Sequence, residues 1–409
     1  MIKNFFDSKK ITLIGAFLGL YLISAGLSLL VFTYFPANNN INDDKSTSAT
    51  SGRRKSKLNI DLPKTEACPI NGMMYTKPEA EIWQKRRPIL AMIENHLDSR
   101  PQSGISKADI VYEAVAEGGI TRFLTVFYCG VASDDYIIGQ IRSARVYFIN
   151  LAAEYGIDPL YVHWGGANNI CNDCPGKVKP AGDINSKVDA YKLLEKLGWM
   201  NGRYGNDMNG AANTGYPALF TDDRRLELAA EHQKVGSTDK IYEEATKRGF
   251  EYKDNDGNAW DKTYTPWKFV DGKSVAVPSA TNIVFNFWDS MEGYDVNWKY
   301  DASTNSYMRF NGGKEHIDLE GNQQISTKNV VIMYVKEEGP VDNEHHMFYT
   351  VIGTGEALIF KNGEVIKGTW SKKSMEARTM FKDEGGVEIE FVRGSVWISL
   401  LPVGNDVSY

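Results

Sequence analysis

Between Ile11 and Phe35 the chain carries no charged side chain and reads ITLIGAFLGLYLISAGLSLLVFTYF. A helix of that length extends over ~30 Å or more, enough to cross the hydrocarbon core of a bilayer. The compartment of everything that follows is therefore fixed by this one segment. Lys3, Lys9 and Lys10 precede it and favour a cytoplasmic amino terminus, with the body outside. Arg53, Arg54, Lys55 and Lys57 lie on the far side, but about 20 residues beyond the span, where the positive-inside bias is weak. The alternative is a cleaved signal peptide, and Phe35-Pro36-Ala37 places a bulky side chain where cleavage calls for a small one. The expectation is an uncleaved single-pass anchor, with residues 1–37 forming tail and membrane span. No cysteine follows at a lipid-attachment position, so a lipid anchor is not expected.

Residues 38–66 are rich in Asn, Ser, Thr and mixed charge with few aliphatics. Such a stretch buries too little apolar surface to offset its ordering entropy and reads as a flexible linker. Formal net charge over the 409 residues is −6. The first 37 residues hold three lysines and one aspartate, +2, which leaves −8 on the remainder. A body that acidic lacks the broad basic face a general nucleic-acid binder needs.

The remainder divides by texture into a mixed α/β region over 67–261 and a β-rich region over 262–409, an α+β protein behind one transmembrane helix. In the first region, strands are expected at 88–94, 109–115, 121–129 and 136–138. A helix at 146–155 leads to a strand at 160–164, a strand-helix-strand unit that suggests a crossover. Ser143 reads as the N-cap of that helix, and further helices are expected at 187–197, 224–232 and 240–248. In the second region, strands are expected at 283–287, 294–300, 329–334, 357–360 and 396–398. Asn311-Gly312-Gly313 and Lys361-Asn362-Gly363 are hairpin signals.

The four cysteines are Cys68, Cys129, Cys171 and Cys174. An even number outside the cytoplasm favours disulfides. Cys171–Cys174 reads as a local bridge, with Cys68–Cys129 as a second pairing. Half a zinc site or a redox motif at Cys171 and Cys174 are the alternatives. No metal or cofactor is expected, and His345-His346 reads as adjacent histidines in a solvated loop. The Gly-x-Ser-x-Gly elbow, the Walker loop and His-Glu-x-x-His are all missing from the sequence.

RPILAMIENHLDSRPQSGISKADIVYEAVAEGGITRFLTVF, then IGQIRSAR and YVHWGG, resemble the YerB-like family of bacterial envelope proteins. Tyr307-Met308-Arg309-Phe310, His316-Ile317-Asp318, Lys367-Gly368-Thr369-Trp370-Ser371-Lys372 and Gly394-Ser395-Val396-Trp397 extend the resemblance to the far end. The resemblance implies two domains of unknown function in an envelope protein, typically lipid-anchored, but no reaction. Thr214 to Thr221 departs from the family's Pro-His-Asn segment.

Arg100, Arg122, Arg142 and Arg145 lie in or beside these motifs. With Ser143 opening a helix, Arg142 and Arg145 suggest an anion site. His163 ends the next strand beside a Gly-Gly turn, and Glu94, Glu113 and Glu117 near strand ends offer carboxylates for acid–base work. The same residues are equally the makings of a buried ionic network. The leading expectation is an extracytoplasmic binding or scaffolding protein for an anionic envelope component, such as a wall polymer. The other readings are an envelope hydrolase or transferase using Glu and His, and a module that engages another membrane protein.

Overall fold

The structure is a computed structural model; it describes residues 61–168, 184–202 and 204–409. Its largest element is an 11-stranded sheet, built where runs of β-branched and aromatic residues recur. The strands are β1 (Ile89–Glu94), β2 (Ile110–Glu117), β3 (Ile120–Phe127), β4 (Leu160–His163) and β5 (Asp207–Asn209). From the far end of the chain come β6 (Asn329–Glu338), β7 (Phe348–Thr350), β8 (Gly353–Lys361), β9 (Glu364–Lys372), β10 (Met380–Asp383) and β11 (Val396–Pro402). Across the sheet the order is β10-β9-β8-β6-β11-β2-β3-β1-β4-β5, with β7 paired to β6.

The join between the two regions is the parallel pairing of β11 with β2, Val396 opposite Ile110 through Ser399 opposite Glu113. Every residue of β2 except Glu117 is buried, because elements cover both of its faces. A five-stranded sheet holding Asn282–Phe285, Val296–Asp301 and Ser306–Asn311 comes from the carboxy-terminal region. It packs inward through Trp298, whose ring meets Trp397 of β11 edge-on at 5.3 Å. Both hairpin signals are hairpins. Asn362 and Gly363 take the left-handed conformation, at φ 57° and 84°, that a two-residue turn between β8 and β9 requires.

Three expectations differ from the structure. Ile137–Gly139 does not share a sheet with β4; it pairs antiparallel with Lys234–Ser237 in a separate three-stranded sheet. The parallel neighbours of β4 are β1 and β5, so the crossover that leads into β4 spans a longer stretch of chain. Residues 224–232 are not an α-helix but two 3-10 turns, Asp223–Arg225 and Ala230–Gln233. Side-chain anchors at both ends override the helical composition: Arg225 donates to the Ser99 carbonyl, and His232 bonds Glu94. Finally, the helix α1 (Val146–Ala152) is capped at Arg145 without a side-chain bond, and Ser143 Oγ instead donates to the Trp164 carbonyl.

Among the described residues no helix is long and apolar enough to cross a membrane. The Ile11–Phe35 run lies outside the described residues, as do Cys171 and Cys174. Cys68 and Cys129 are joined, closing a sequence separation of 61 residues.

Candidate functional site

Glu113 sits mid-strand on β2 with both oxygens out of solvent. It accepts from Arg309 Nη2 at 2.9 and 2.8 Å, from Thr121 Oγ1 at 3.1 Å and from Trp397 Nε1 at 3.1 Å. Neither partner of the Arg309–Glu113 pair exposes any side chain. Arg309 also donates Nε–H to His316 Nδ1 at 3.0 Å, and His316 Nε2 meets Gln102 Oε1 at 2.8 Å. With Nδ1 accepting, Nε2 carries the proton. Burial, reinforced by Arg309 and Arg100, holds the His316 pKa well below its usual value, so the ring is neutral.

Glu117, at the end of β2, takes both Arg122 and Arg145, the first at 2.5 Å. Burial alone would raise its carboxyl, but the two guanidinium groups reverse that and hold it far below the usual carboxylate range. Arg122 also donates to the Ser143 carbonyl and Arg145 to the Ala144 carbonyl. The arginines that flank α1 thus face a carboxylate and main chain, and the helix is only seven residues long. His346, expected in solvent, is buried beside this cluster and bonds Asp342 at 3.0 Å.

Glu94 closes β1. Its Oε1 meets His232 Nδ1 at 2.9 Å and its Oε2 meets Arg142 Nε at 3.3 Å. Arg142 keeps 29% of its side chain exposed, unlike Arg122 and Arg145. His163 stands apart from these clusters. It is fully buried, with Nδ1 2.7 Å from the Gly165 carbonyl and Nε2 3.3 Å from Asp207. The glutamate–histidine contact that acid–base chemistry at His163 would call for is replaced by that aspartate.

Arg100 differs from the others. Its Nε donates to Asn95 Oδ1, Nη2 to the Asn95 carbonyl and Nη1 to the Gly293 carbonyl. All three acceptors are neutral, and among the described residues no carboxylate lies within ion-pair distance. Burial pushes its guanidinium down to about 10, a pKa still far above neutrality, so the charge persists. Its ring partner is Tyr294, 5.1 Å from the guanidinium carbon to the centroid.

Arg100 lines a cleft of about 660 Å³ where the two regions meet, together with exposed Lys314 and Glu315 and with Asn311, Asn322 and His316 as further polar lining. Leu97, Pro101 and Ile317 give it an apolar side, and Leu97 is 51% exposed there. Asn311 Oδ1 is buried without a hydrogen-bond donor among the described residues. Sequence reasoning named Arg100 but missed Lys314 and Asn311, of one hairpin, and Asn322, in the turn of the next, some 200 positions away in the chain. The hairpin signal at Asn311-Gly312-Gly313 was the one trace of them.

Residues 72–251 match the family described as Protein of unknown function (DUF3048) N-terminal domain, and 283–398 match its C-terminal domain. A curated relative, "Putative lipoprotein YerB" of Bacillus subtilis (strain 168), is 30% identical over 344 residues, covering 84% of this chain and 88% of the relative. The crystal structure of the YerB protein from Bacillus subtilis superposes with a TM-score of 0.64 at 26% identity. It covers 84% of this chain and 100% of that one. The extent of these matches, which take in both regions of the shared sheet, makes the chain a member of the YerB-like DUF3048 family.

Proposed function

We propose that the protein is a membrane-associated, extracytoplasmic binding protein that takes an anionic glycopolymer of the cell envelope in the cleft at Arg100. One observation carries this reading: Arg100 is a charged, partly desolvated guanidinium at a cleft wall whose hydrogen bonds all go to neutral acceptors. A phosphate or carboxylate entering there meets a cation that no protein carboxylate has already neutralised. Lys314 stands at the opening beside Glu315, which offsets its charge and leaves Arg100 as the uncompensated cation of the lining, and Asn311 and Asn322 add hydroxyl-binding amides. Leu97, Pro101 and Ile317 suit the apolar face of a sugar ring, an arrangement of few polar groups on an apolar wall common to small-molecule sites.

The location rests on three supports of different kinds: the charge-free run at Ile11–Phe35, the Cys68–Cys129 disulfide, which belongs to oxidising compartments, and the lipoprotein designation of the relative. Arg122 and Arg145 take no part in the proposed site, because both are buried against the Glu117 carboxylate. Co-sedimentation of the full chain, in detergent micelles, with cell walls that carry or have been stripped of their anionic polymers tests the reading. Binding should require the polymer, fall with added salt, and weaken in Lys314→Ala. Equal binding to stripped walls would refute it.

A further inference from the structure

A second cluster, whose residues do not line the cleft, has a different chemistry. His96 and Asp98 flank Leu97, and His232 arrives from the turn at Ala230–Gln233. The nitrogen and oxygen ligand atoms of His96, Asp98 and His232 all lie within 4.8 Å of one another. The two imidazoles stack with centroids 4.8 Å apart and planes 19° from parallel, so the part-exposed His96 ring has to turn before both lone pairs can point at one ion. His96 Nδ1 is 3.7 Å from Asp98 Oδ2. Two ligands of one tetrahedral zinc, each ~2.1 Å from the metal, stand about 3.4 Å apart, so this pair is close to that spacing.

The orientation of His232 is also fixed. Its Nδ1 meets the buried Glu94 carboxylate at 2.9 Å, which makes Nδ1 the protonated nitrogen and leaves Nε2 with its lone pair. A carboxylate holding the far nitrogen of a ligating histidine is the arrangement that sets its tautomer and raises its basicity. His96 Nδ1 accepts the Asp98 backbone N–H at 3.2 Å, a bond that a metal ion at this nitrogen replaces. The Arg142 charge is spent on Glu94.

We propose that His96, Asp98 and His232 form a binding site for a divalent transition metal of the zinc type, with Glu94 orienting His232 and the remaining coordination position open to solvent. The inference goes beyond the polymer-binding reading and does not depend on it. His232 is buried while His96 is part-exposed and Asp98 exposed, so the two outer ligands close on a fixed inner one. Three protein ligands plus a water is the donor count of sites that present an open position.

The test titrates Zn²⁺ into the untagged full chain in detergent micelles, against a chromophoric chelator of known affinity. Parallel Co²⁺ spectra report the coordination geometry. The wild type should bind zinc at a site that His96→Ala weakens by roughly 100-fold or more, and Glu94→Gln by about 10–100-fold. His96→Ala leaves no buried group unpaired, so its melting temperature should match the wild type without metal and no longer rise with zinc. Cys171→Ser/Cys174→Ser should bind zinc as the wild type does. Zinc affinity unchanged in His96→Ala, or lost in the cysteine variant alone, overturns the proposal, as does a wild type that binds no zinc.

Discussion

Replacing Arg309 by Met isolates what the buried pair between the two regions contributes. Both side chains are fully out of solvent, and Glu113 depends on Arg309 for two of its four hydrogen bonds. Removing one partner leaves the other as an uncompensated buried charge, which costs about 3–5 kcal/mol. Arg309 also lies over Trp397 at 4.3 Å and Trp298 at 5.1 Å, contacts that methionine keeps only in part. With an unfolding entropy of ~2.1 cal/mol/K per residue over roughly 350 residues, that cost corresponds to a fall of about 4–7 °C in Tm. Calorimetry of the full chain measures it. Arg309→Met/Glu113→Leu, which removes both charges, should recover most of the loss, because apolar replacement of a whole buried pair is often neutral. A single variant within about 1 °C of wild type, or a double variant as unstable as the single, would refute the view that this pair locks the two regions together.

Asp109, buried and pushed up to about 7 by that burial against the opposing N–H groups of Tyr128, Cys129 and Gly130, binds a proton more tightly folded than unfolded. Its stabilising contribution is therefore full below about 4 and is lost as pH rises toward 7. Asp109→Asn should flatten the Tm profile across that window, and an unchanged slope would contradict it. Glu154 has the opposite sign. Burial alone would raise it, but Lys372 and Arg378 pull it down to about 2, so its contribution is lost as pH falls from about 4.5 toward 2. Glu154→Gln should destabilise at neutral pH and progressively less in acid, measured by chemical denaturation at each pH. Cys68→Ser/Cys129→Ser should lower stability by about 2–4 kcal/mol in urea denaturation, the range expected when a long loop is released, without altering zinc or polymer binding.

Local features of the fold were readable in the chain. The β-branched, aromatic runs of β1 to β4 and the Asn-Gly turn after Lys361 declare themselves within a few residues, because strand and turn preferences are local. The insertion of β11 between β6 and β2 was not readable, since parallel pairing between segments some 280 positions apart leaves no local trace. Residues 224–232 misled for the opposite reason. Their composition favours a helix, but Arg225 and His232 gain buried partners in Ser99 and Glu94 that a continuous helix would not present. At the site, charge type was legible and charge state was not. Arg122, Arg142, Arg145 and Arg100 look alike in sequence, and only the positions of Glu117 and Glu94 separate the three that contact a carboxylate from the fourth. The metal-type cluster escaped because His96 and Asp98 are two residues apart in a turn, while His232 lies far along the chain.

The most direct test of the central claim is calorimetric titration of the full chain, wild type and Arg100→Lys, with a phosphate-bearing wall glycan fragment and its neutral counterpart. Lysine keeps the charge of Arg100 but loses the planar fork that holds its place against Asn95 and Gly293. The wild type should bind the charged fragment at least ~10-fold more tightly than the neutral one, a difference of about 1.4 kcal/mol. Arg100→Lys should lose most of that preference while still unfolding cooperatively, at a melting temperature lowered by the lost bonds to Asn95 and Gly293. Equal affinity of the wild type for both fragments, or a preference that survives intact in Arg100→Lys, would contradict the assignment of the cleft.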